Sequence, residues 1–94
     1  MYVFSVNAIA KEAVQGIAKG QKVPFIVYIN SKNRAGAKKL CVLRLLKAGF
    51  HQVEICEHRL VGEKALADEK VLSAHRGLRE ALDQGYSIHL FDEG

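Results

Sequence analysis

The chain has 94 residues, 49% of them apolar and 26% charged, with a formal net charge of +4. That length sets one domain over residues 1–94, and the balance of apolar and charged residues excludes a disordered or collagen-like chain. No apolar run approaches a membrane span and no signal-peptide pattern opens the sequence, so a cytoplasmic protein without a membrane partner is expected.

In chain order, Tyr2 to Val6 is a short β-rich run closed by Asn7, a good N-cap residue. The i, i+3, i+4, i+7 spacing of Ala10, Ala13, Val14 and Ile17 predicts a helix over about 8–19, stopped by Gly20. Residues 23–29 are apolar without alternation, as in a strand covered on both faces, with Pro24 tolerable near the start. A loop over 30–33 leads to a second helix, about 34–48, closed by Gly49. Residues 51–60 read as a strand with one wet face, placed near an edge. Gly62 breaks the chain, and a long helix over about 63–84 carries Ala67, Val71, Ala74, Leu78, Ala81 and Leu82 on one stripe. Gly85 ends it before a last strand at 86–91.

The resulting order, β-α-β-α-β-α-β, predicts an α/β fold with a small four-stranded, mostly parallel sheet and three helices. The alternative is a ferredoxin-like α+β arrangement with the second helix inserted, whose sheet would be antiparallel. The middle helix is apolar around its whole axis (Ala37, Leu40, Cys41, Val42, Leu43, Leu45, Leu46, Ala48), which calls for cover on more than one side. A homodimer through this helix would supply it; so would loops and lysine stems.

Charge is distributed more tellingly than its total suggests. From Ala13 to Val53 there are eight basic residues and no acid, whereas from Glu54 onward nine acids face five basic residues. A concentrated positive field attracts phosphate or an acidic protein surface. The candidate contact residues are Lys32, Arg34, Lys38, Lys39, Arg44 and Lys47. Arg34, Lys38 and Lys39 lie at the start of a helix, where the dipole disfavours cations, so an anion bound at the Asn30–Gly36 junction would offset the penalty.

No catalytic, cofactor or metal signature accompanies this cluster. There is no phosphate-binding glycine loop, helix-turn-helix, zinc finger or RNP motif. Cys41 and Cys56 lack CxxC spacing and read as small buried hydrophobes. Cys56 and His58 share a strand face by period, yet a structural metal needs about four ligands. Half-buried or surface histidines are the simpler account of His51, His58, His75 and His89. The expected function is a small non-enzymatic binding or regulatory protein that contacts nucleic acid through its basic middle segment. The alternatives are an inhibitor or adaptor for an acidic protein surface, and a small enzyme holding a phosphorylated substrate at the Asn30–Gly36 loop.

Overall fold

The computed structural model describes residues 1–91; Asp92 and Glu93, two of the C-terminal acids, lie outside it. Its elements run β1 (Tyr2–Ala10), β2 (Lys22–Ile29), α1 (Arg34–Lys47), β3 (Phe50–Leu60), α2 (Glu63–Leu66), α3 (Glu69–Ala74), α4 (Arg76–Gln84) and β4 (Tyr86–Leu90). The strands form one four-stranded sheet in the order β3-β1-β2-β4, with every neighbouring pair antiparallel.

This overturns the mostly parallel sheet expected from alternating helices and strands. The cause is local. Residues 8–10 continue β1 instead of starting a helix, burying Ala8 and Ala10 on the face that also takes Phe4 and Val6. The chain then doubles back. Val14 and Ile17 exchange backbone hydrogen bonds of 2.9 and 2.6 Å around Gln15 and Gly16, whose φ values are 26° and 84°. Two consecutive positive φ angles are the mark of a tight hairpin turn. A direct hairpin makes β1 and β2 antiparallel. The α1 crossover then carries the chain past β1, so β2 and β3 point the same way but never meet. The ferredoxin-like alternative shares the antiparallel pairing but begins β-α-β, and this chain begins with a hairpin.

One face of the sheet carries the main core. Phe4, Val6, Val23, Phe25, Val27 and Ile29 pack there under Ala37, Cys41 and Leu45 of α1, an i, i+4, i+8 stripe at 0% exposure. Phe25 and Phe50 meet edge to face, with centroids 4.8 Å apart, where β3 enters. The opposite face is covered only in part, by Leu72, Leu78 and Ala81 packed with Met1, Val3 and Tyr28.

The long C-terminal helix of the sequence reading is three short ones. Asp68 caps α3 by accepting from the Lys70 amide at 2.9 Å, and His75 (φ −125°, ψ 85°) interrupts the helix before α4. Gly77 lets α4 lie against Tyr28, since a Cβ there would fall 2.6 Å or closer to the ring. Ser87 Oγ, buried, donates to the Gly77 carbonyl at 2.8 Å. Among the described residues, no helix is long and apolar enough to cross a membrane.

Candidate interaction face on the basic helix

The uneven charge of the sequence becomes a difference between the two faces of the sheet. α1 carries Arg34, Lys38, Lys39, Arg44 and Lys47 and no acid. Helices α2 to α4 lie on the other side, where acids and bases are mixed and several of them pair. Arg79 meets Glu69 at 2.8 Å, Arg76 meets Glu80 at 3.1 Å, and His89 meets Glu80 at 3.0 Å. Burial and the Glu80 charge both push the Tyr28 hydroxyl pKa upward, burial being the larger cause.

The strand β3 follows the same division. Glu54 and Glu57 lie opposite Asn7 and Ser5 of β1, on the face away from α1, whereas Ile55 lies opposite buried Val6 and packs against the α1-side core. No carboxylate of β3 therefore faces the basic helix. Among the described residues, none of the five basic side chains of α1 is in an ion pair.

The predicted contact residues separate into three groups. Lys32 lies in the loop before α1 and meets Glu63 at 3.7 Å, both side chains being almost fully exposed. Arg44 is half-buried and stacks on Tyr86, with Cζ 4.0 Å from the ring centroid. Arg34, Lys38, Lys39 and Lys47 are exposed. Lys38 and Lys39, with Val42, Leu43 and Ile55, line a shallow cavity of about 530 Å³ between α1 and β3.

Between these cations lies an apolar ridge. Leu40, Leu43 and Leu46 are 43%, 50% and 39% exposed, at i, i+3, i+6 spacing along the outer side of the helix. The sequence indicated this ridge through the all-round apolarity of α1, but did not mark which leucines point outward. Only Ala37, Cys41 and Leu45 are spent on the sheet. The Cys41 thiol, fully buried among them, has its pKa pushed up to about 12 by desolvation.

The start of α1 is closed by its own loop. Asn33 Oδ1 accepts from the Gly36 amide at 3.0 Å, and the Asn33 carbonyl accepts from the Ala37 amide at 2.8 Å. The Asn33 amide in turn donates to Ser31 Oγ at 3.1 Å. Of the first-turn amides on which an anion site would draw, that of Gly36 is therefore already engaged. Neither of two cavities on the protein includes any of residues 30–36.

The second cavity, about 800 Å³, lies on the half-covered face of the sheet. Val3, Ile26 and Leu78 form apolar wall, and Ser5, Glu57 and Arg59 bring polar groups of both charge signs. Cys56 also lines it, and its Sγ accepts from Asn7 Nδ2 at 3.3 Å. His58 lines the same cavity, although a register shift at this point of β3 interrupts the regular two-residue period. The exposed Cys56 thiol is also unlike the buried hydrophobe expected; Cys41 alone fits that description. Among the described residues, no three His, Cys, Asp or Glu side chains are grouped to hold a metal.

No protein-family model matches the chain, and comparison with curated proteins and with solved structures finds no match either.

Proposed function

We propose that the protein is a binding module that docks an acidic protein surface through the outer side of α1. The observation that carries this reading is the ridge of Leu40, Leu43 and Leu46 set among unpaired lysines and arginines. Burying the exposed part of each leucine would contribute roughly 1 kcal/mol, about half the value for a fully buried side chain. The surrounding cations would steer the partner and set its orientation. Interfaces of this type combine an apolar centre with a charged rim.

Nucleic acid is the competing partner, since the same cations suit phosphate. A phosphate backbone gains nothing from three leucines at the centre of its footprint, and that favours protein. Two variants separate the readings. Leu43→Ser leaves the charge intact, and Lys38→Glu/Lys39→Glu leaves the ridge intact. Capture of one protein from cells that express this chain should be lost with either variant. If oligonucleotide binding is instead tight, falls with salt and responds only to the lysine variant, the protein-docking reading is wrong.

A further inference from the structure

Resting on the docking reading above, we infer that the partner contributes an acidic amphipathic α-helix, seated in the groove between α1 and β3. The groove has walls of two kinds. From α1 come Lys38, Lys39, Val42 and Leu43; from β3 comes Ile55. Its floor is apolar and its charged side chains are cations. The nearest β3 carboxylates, Glu54 and Glu57, belong to the opposite face of the sheet. Charge complementarity therefore selects a partner with apolar anchors flanked by Asp or Glu.

The shape of the partner follows from the edge beside the groove. β3 is an outer strand eleven residues long, so one side of its backbone is unpaired within the sheet. An added strand is the usual way to satisfy such an edge. Here the register shifts twice, once between the partners of Ser5 and Val6 and again between those of Asn7 and Ile9. Gln52, at φ 49°, sits in the second irregularity. Bulges of this type bend the strand and interrupt a regular ladder. Both flank Ile55, where the groove lies, so a strand cannot add there in continuous register. A helix needs no register with β3. It packs its side chains against Val42 and Leu43 of α1 and covers the edge sterically, as helices and loops do on other exposed edges.

The same surface is poorly matched to itself. A second copy placed α1 against α1 would bring Lys38, Lys39 and Lys47 toward their own counterparts with no acid on either helix. An anionic membrane would suit the cations and the leucines, but it cannot use a groove walled by a strand.

The test is a titration of the full chain, labelled with ¹⁵N, with a designed helical peptide as probe. The peptide carries leucines at i, i+3/i+4 and i+7 with glutamates alongside. Two controls exchange the glutamates for lysines or the leucines for alanines. Amide shifts concentrated at residues 38–46 and around Ile55, lost with both controls and at least tenfold weaker binding in Leu43→Ser, would support the inference. Leu43 is half exposed, so this variant should keep the wild-type spectrum elsewhere. Four outcomes would overturn it: no shifts with the acidic peptide, shifts on another face, equal binding of the lysine peptide, or shifts only with anionic vesicles. Docking of a protein onto α1 by a non-helical element would overturn the helix assignment while leaving the docking reading intact.

Discussion

The contact between Gly77 and Tyr28 gives the sharpest test of how α4 is seated. In Gly77→Ala, the new methyl would lie 2.5 Å from Tyr28 Cζ and 2.6 Å from Cδ1, well inside van der Waals contact. Either the ring moves or α4 lifts. The ring is held on one side by an edge-to-face contact with His89, at 5.8 Å between centroids. Lifting α4 would stretch the 2.8 Å bond from Ser87 Oγ to the Gly77 carbonyl. Overpacking of this kind costs about 1–3 kcal/mol, and the buried hydrogen bond places the expected loss at the upper part of that range. Urea unfolding followed by far-UV circular dichroism should show the midpoint falling by roughly 1–2 M. Replacing the ring with a smaller side chain removes the clash, so Gly77→Ala should cost much less in a Tyr28→Leu background. An unchanged midpoint for Gly77→Ala, or strictly additive effects in the double variant, would refute this packing.

Four further outcomes follow from the core and the turns. Leu45→Ala empties a position at 0% exposure beneath α1 and should destabilise by about 2–5 kcal/mol in the same assay, whereas Leu43→Ser should cost under 1 kcal/mol; equal losses would contradict the orientation of the helix. Cys56 should react with a thiol reagent in the native state while Cys41 reacts only on unfolding, so rapid labelling of both thiols would contradict the burial of Cys41. Because burial raises the Cys41 pKa from 9.0 to about 12, the folded state holds its proton longer than the unfolded state. Stability should therefore decline as pH rises above about 9, and Cys41→Ala should remove that part of the decline. At the hairpin tip, Gly16 has φ +84°, so Gly16→Val should lower stability by roughly 1–2 kcal/mol and Gly16→Asn by less; equal melting temperatures would count against the turn.

How much of this was legible in the sequence depends on what each segment had to signal. Helix α1 was expected over 34–48 and spans Arg34–Lys47, because Asn33 and Gly49 mark its ends and its propensity agrees with its packing. The β3 strand was expected near an edge and is one, since its alternation of apolar and polar residues shows a single buried face. Pro24 was also legible. Its carbonyl accepts from the Phe91 amide at 3.0 Å and its nitrogen faces the same neighbour, so the missing amide forgoes one bond at the margin of the sheet, just where the β4 ladder stops. The 8–19 segment misled because alanine is the best helix former and here lines a strand. Ala8 and Ala10 are inward-facing residues of β1, and the informative feature was the Gln15-Gly16 pair between Val14 and Ile17. From that one segment the error spread to the whole topology. Of the 63–84 stripe only Leu78 and Ala81 are buried and Val71 half-buried, while Ala67, Ala74 and Leu82 are exposed, because the interruption at His75 resets the helix phase and brings Leu72 inward instead.

The candidate site was half visible. Charge asymmetry identified α1, and it could not say that Lys32 would meet Glu63 or that Arg44 would stack on Tyr86. Nor could it separate Leu45, which the sheet consumes, from Leu43, which it leaves free. Outward direction is a property of the assembled layers, and it is what moves the preferred partner from nucleic acid toward protein.

The most direct test of that central claim is photo-crosslinking from position 43 in cells that express the protein. A photoreactive phenylalanine analogue at Leu43 should yield one discrete protein adduct, which Lys38→Glu/Lys39→Glu abolishes and which the same analogue at Asp83, on the other face, does not give. Adducts to nucleic acid at position 43, or no adduct beyond that seen from position 83, would contradict it.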